Sequence, residues 1–101
     1  MTYGLITKFL ARPGERDALT DCLLLAAERM PRASGCVHYL ISTSDEPEAV
    51  WVSEVWVDQA AHDASLKSED VMALIGRARP LIASVAEQIP LAVLGGKGLP
   101  T

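Results

Sequence analysis

The chain of 101 residues is 50% hydrophobic and 22% charged, with a formal net charge of -4. That length supports one domain with a core of its own, and that apolar share excludes a disordered tail. The acidic balance leaves no electrostatic footprint for nucleic acid and would be repelled by an anionic membrane.

The longest unbroken apolar run, Cys22 to Ala27, is far too short to span a bilayer, and residues 1–10 lack the basic start and apolar core of a secretory leader. A cytoplasmic protein is expected. Cys22 and Cys36 fall on different predicted elements with no second ligand cluster beside either, so neither a disulfide framework nor a metal site is predicted, and both are expected as reduced thiols.

Tyr3 to Leu10 (YGLITKFL) alternates Tyr3, Leu5 and Phe9 against Ile6 and Leu10, and is predicted as a strand with two partly apolar faces. Arg12-Pro13-Gly14 breaks it. The helix that follows has an inner stripe of Leu19, Cys22, Leu23, Ala26 and Met30. Leu24 and Leu25 lie off that stripe, so the helix should touch more than its own sheet. Pro31 is expected to end it, Ser34-Gly35 to turn the chain, and Cys36–Thr43 to form a second strand with Val37, Tyr39 and Ile41 opposed to Cys36, His38 and Leu40.

The polar run from Ser44 to Glu48 should join this strand as a hairpin to a third, Ala49 to Val57. Asp58 is the expected N-cap of a short helix, Gln59 to Leu66. Ser68, followed by Glu69 and Asp70, is the expected cap of a longer one, with Val71, Leu74, Ile75, Ala78, Ile82 and Val85 at helical spacing and Pro80 kinking or restarting it. A short final strand, IPLAVL, follows Gln88, and then a glycine-rich tail. The tail lacks both the spacing and the following helix of a phosphate loop.

The order strand, helix, strand, strand, helix, strand defines an α+β fold, the ferredoxin-like βαββαβ antiparallel sheet with helices on one face, as a single domain over residues 1–101. The other sheet face keeps large apolar groups on the first three strands. At about 25 cal/mol per Å² of apolar surface removed from water, covering it with a second copy is the expected remedy, which makes the protein a homodimer.

The candidate site lies at the junction of the third strand and the following helix, AVWVSEVWVDQAAHDASL. Glu54 and Trp56 share one strand face and Trp51 takes the other, so the tryptophan can wall a flat aromatic ligand while the acid orients a polar edge. The competing reading is a core tryptophan with an acid at the strand rim. His62, about one turn into the helix, is a candidate base or donor, against a solvated histidine beside Asp63. His38 reads as a histidine satisfied within the sheet or an interface. Arg77 and Arg79 flank Pro80 and read as a solvated helix face.

The segments Gly35-Cys36-Val37-His38-Tyr39, Val52-Ser53-Glu54-Val55-Trp56 and HDASLKSEDVMALIGRARPLI from His62 resemble the antibiotic biosynthesis monooxygenase family, over nearly the whole chain. The resemblance implies a homodimer whose two sheets pack into a shared barrel, the dimeric α/β barrel. It also implies oxidation of phenolic or quinol-type small aromatic substrates by O₂ with no metal, flavin or other cofactor. Other members degrade haem. That branch pairs the strand tryptophan with a histidine nine or ten positions on, where this chain has Ser65 and Leu66, so haem degradation is disfavoured. The quinone-forming branch carries an asparagine four residues before the tryptophan, where this chain has Val52.

The expectation is therefore a cofactor-independent monooxygenase. Trp56 serves as pocket wall and oxygen-side donor, and His62 or Glu54 as proton acceptor. The alternative is a non-enzymatic dimeric module of the same fold that binds a small ligand or serves a stress response.

Overall fold

A computed structural model describes residues 2–30 and 34–99. Four strands, β1 (Tyr3–Ala11), β2 (Cys36–Thr43), β3 (Ala49–Trp56) and β4 (Ile82–Ala92), form one antiparallel sheet in the order β2-β3-β1-β4. Three helices, α1 (Arg16–Glu28), α2 (Gln59–Ser65) and α3 (Glu69–Ala78), accompany it in the βαββαβ order of the ferredoxin-like fold. The smallest dimension is 18 Å, the thickness of one sheet and one helix layer, so among the described residues no helix or strand forms a second layer over the other sheet face.

The helix-side core follows strand alternation. Leu5, Thr7 and Phe9 of β1 lie beside Glu54, Val52 and Val50 of β3, and Tyr3 beside Trp56, with Val50, Val52 and Trp56 essentially sealed. α1 buries Leu19, Cys22, Leu23 and Ala26 against them, as its stripe predicts. Of the two leucines off the stripe, Leu25 packs against the core and Leu24 is half exposed. The helix also meets α3, where the Cys22 thiol donates to the Leu74 carbonyl at 3.5 Å. The expected stop at Pro31 lies outside the described residues. Met30 comes after the end of α1.

The Asp58 cap is present, its carboxylate accepting from the Ala61 N–H at 2.8 Å, whereas Ser68 precedes α3 without a side-chain bond. The larger departure is at the C-terminal end. α3 stops at Ala78, Arg79–Leu81 forms a single 3-10 turn around Pro80, and the final strand begins at Ile82, several residues before the expected start after Gln88. Pro80 does not kink a continuing helix; it ends one.

The reason Ile82 and Val85 read as helical is visible in the register. β4 carries irregularities opposite Lys8/Phe9 and Leu10/Ala11, so Ile82, Val85 and Gln88 stand beside Ala11, Phe9 and Thr7, all on the helix side. Each bulge inserts one residue and turns a period of two into a period of three, which imitates a helix in sequence. A third bulge, between Cys36 and His38, sets Cys36 opposite Trp56 while His38 stands opposite Val55, so these two do not share the simple alternation expected of them.

The open face carries the row Leu40, Ser53, Ile6, Ile89 across all four strands, with Leu40 57% and Ile89 45% exposed. Trp51 lies beside Lys8, whose ammonium sits 5.5 Å from the indole centroid. The tail after β4 turns back over one end of this face. Val93 N–H donates to the Thr2 carbonyl at 3.1 Å, and the His38 ring nitrogen Nε2 meets the Gly98 carbonyl at 3.3 Å.

Candidate functional site

Between the helix side of the sheet and α3 lies a cavity of about 420 Å³. α3 turns Val71, Leu74, Ile75 and Ala78 toward it, and the sheet supplies Leu5, Phe9, Val52 and Trp56 as its floor. The solvent-exposed side chains among its walls, Leu66, Arg79, Val85 and Gln88, mark its mouth, between the α2–α3 turn and β4. The bulges of β4 matter here, because without them Val85 and Gln88 could not both face inward beside Ile82.

Glu54, Trp56 and His62 all line this cavity and touch one another. Trp56 ends β3 and is 1% exposed; its indole N–H donates to Glu54 Oε1 at 3.1 Å. The indole N–H is therefore engaged, and the free oxygen-side donor that the sequence suggested at Trp56 is directed at a carboxylate instead. Two residues, Val57 and Asp58, separate α2 from the strand, and this short connection swings His62 back over the strand end. Its ring meets Trp56 edge-on at 5.6 Å and lies 5.4 Å from the Tyr3 ring. Nδ1 bonds Asp63 at 3.0 Å, as the solvated-histidine reading expected, but the side chain is only 13% exposed and its Nε2 lies 3.8 Å from Glu54 Oε1.

Glu54 is the unusual group. With its side chain 10% exposed, burial pushes its proton affinity above the ordinary carboxylate range, and the Trp56 hydrogen bond and the His62 charge only partly offset this. Directly opposite it on β2 stands Tyr39, which the sequence placed on the correct strand face but did not mark as a site residue. Burial first, then Glu54 and Cys36, raise the Tyr39 phenol so far that it stays protonated throughout the working pH range. The Cys36 thiol is pushed up to about 11 by burial and by Glu54, which makes it a poor nucleophile at neutral pH.

A second polar pair lies across the floor. Thr7, 2% exposed, accepts from Gln88 Nε2 at 3.4 Å, and both line the cavity. Only the register could reveal this pair and Tyr39, since their partners are 81 and 15 residues away in sequence. Arg79 reaches the mouth, while Arg77 is not part of the wall. Among the described residues no group of three His, Cys, Asp or Glu side chains converges as a metal site would require.

The chain is thus a ferredoxin-like α+β domain with an apolar cavity between its sheet and α3, whose lining includes a carboxylate tethered to an indole N–H. The antibiotic biosynthesis monooxygenase profile matches residues 2–77, and the chain belongs to that family. A Chloroflexus aurantiacus structure carrying the family's name is 40% identical, with a TM-score of 0.91 over 99% of this chain and 100% of that one. A Shewanella oneidensis protein is 27% identical, with a TM-score of 0.77 over 89% and 90% of the two chains. A Mycobacterium tuberculosis protein at 21% identity shares the fold, with a TM-score of 0.82 over 96% and 99%. No functionally curated protein matches the chain.

Proposed function

We propose that the protein is a cytoplasmic, homodimeric, cofactor-independent monooxygenase acting on a phenolic or quinol-type small aromatic substrate with O₂. The observation that carries this reading is Glu54, a tethered carboxylate with raised proton affinity inside a largely apolar cavity of about 420 Å³, the size of a small aromatic ligand's site. Two free cysteines fit a reducing compartment, and among the described residues no helix is long and apolar enough to cross a membrane.

The substrate hydroxyl gives its proton to Glu54 or His62, and the electron-rich ring then reduces O₂. A ring C–O bond forms, the O–O bond breaks, one oxygen stays on the ring and the other leaves as water. For a naphthalenediol the balance is diol plus O₂ giving hydroxyquinone plus water. Trp56 forms the wall and holds Glu54, and the hydrogen-bond donor to the reduced oxygen falls to Tyr39 or His62.

The engaged indole N–H also supports a second reading, a non-enzymatic dimeric binding or stress-response module that holds the same class of ligand without turnover. Oxygen uptake with a panel of one- and two-ring hydroquinones separates the two. The enzyme reading expects consumption above background that scales with protein. Ligand-dependent thermal shifts with no uptake from any member of the panel would leave the binding module.

A further inference from the structure

Among the described residues, Glu54 engages its neighbours through one oxygen. Oε1 accepts from Trp56 and faces His62, whereas Oε2 makes no hydrogen bond among the described residues. The Tyr39 hydroxyl makes none there either. Both residues line the same cavity, and neither Glu54 Oε2 nor the Tyr39 hydroxyl counts among the buried side-chain oxygens without a partner, which among the described residues is Glu48 Oε2. The two residues stand opposite one another on adjacent strands, which run about 4.8 Å apart in an antiparallel sheet.

We propose that this cavity also interconverts the keto and enol forms of small aromatic ketones with an acidic α-C–H bond, with Glu54 Oε2 as base and the Tyr39 hydroxyl as donor to the carbonyl oxygen. Glu54 takes the α-proton, the C–H electron pair becomes the enolate C=C bond, and the carbonyl π pair moves onto oxygen, where Tyr39 stabilises it. The proton then returns from Glu54 to that oxygen, giving the enol, or to another carbon of a conjugated enolate, giving an isomer. Glu54 is restored, and no oxidant or reductant enters. A phenol that stays protonated can donate but cannot compete as base, and an apolar cavity keeps water from the enolate. The reaction uses the same carboxylate as the oxygenase reading and does not require O₂.

2-Tetralone, a fused-ring ketone with a benzylic α-CH₂, is the probe. Deuterium incorporation at that carbon is followed by NMR in D₂O under anaerobic conditions, and binding by saturation-transfer NMR. Wild-type protein is expected to accelerate exchange over buffer. Glu54→Gln, which keeps the shape and the Trp56 contact, lowers the rate at least about 100-fold without loss of binding, and Tyr39→Phe lowers it about tenfold or more.

The rate should rise with pH through a midpoint above the ordinary carboxylate range. Among the described residues, the titratable groups that interact with Glu54 are Tyr39 and Cys36 from β2 and His62 from α2. His62→Gln is expected to move the midpoint upward without abolishing the step, because it removes an attractive charge. Absence of exchange above buffer, whether or not 2-tetralone binds, overturns the proposal, as does exchange that survives Glu54→Gln. Because oxygen is excluded, this test and the oxygen-uptake test can fail independently.

Discussion

Glu54 is held by neighbours that act on its proton in opposite directions, and the net effect makes it a stability element as well as a chemical one. Its folded proton affinity is raised, so its contribution to stability is full below the ordinary carboxylate range and is lost as pH rises through the folded value. Glu54→Gln should therefore melt above wild type at pH 8, with the gap closing as pH falls toward about 4.3, the unperturbed value. A gap that does not change between pH 4 and 8 contradicts the burial argument. Trp56→Phe keeps most of the packing and removes the N–H that favours the charged carboxylate. If the protein is an oxygenase, hydroquinone turnover should fall at least about tenfold, roughly 1.4 kcal/mol of barrier, and the pH midpoint should move up. Unchanged kinetics in this variant would remove Trp56 from the site.

At the scale of elements, the site depends on how closely α2 approaches the start of β2. Gly35 has φ +85°, its carbonyl accepts from the Val57 N–H at 2.9 Å, and a Cβ there would lie 2.8 Å from Val57 Cγ2 and 2.9 Å from Ala61 Cβ. Both the dihedral and the space require glycine. Gly35→Ala should cost about 1–3 kcal/mol and lower the melting temperature by at least about 4 °C, while pushing α2, and His62 with it, away from Glu54. Thermal unfolding reads the first effect, and the His62 ring shifts in NMR read the second. β4 shows the same dependence of site on backbone, since two bulges bring Ile82, Val85 and Gln88 to one wall.

For the whole molecule, the consequential feature is the bare sheet face. Leu40, Ile89 and Leu91, each between 44% and 57% exposed, lie over strands whose other face is already the core. A second copy packed there would bury them, and light scattering at micromolar concentration is expected to give twice 10.8 kDa. Ile89→Lys places a charge on this face at an edge strand, away from the cavity. It should reduce the scattering mass to that of a monomer while the secondary structure is retained. A wild-type mass of 10.8 kDa independent of concentration would refute the pairing.

The element order, the α1 stripe as far as Ala26, the β2 boundaries, the start of β3 and the placing of Glu54 and Trp56 on one face were all legible in the sequence, because each rests on local periodicity or a capping residue within a few positions. The resemblance carried by Gly35 to Tyr39, Glu54 to Trp56 and the segment from His62 pointed to the family for the same reason: those residues are read in place. Tertiary structure alone decided that Tyr39 faces Glu54, that Gln88 reaches Thr7, that the Trp56 N–H is taken by Glu54, and that Ile82 and Val85 belong to a strand. These follow from register and bulges. A bulge changes which residues share a face without leaving a local mark, and register is set by partners far away in the chain.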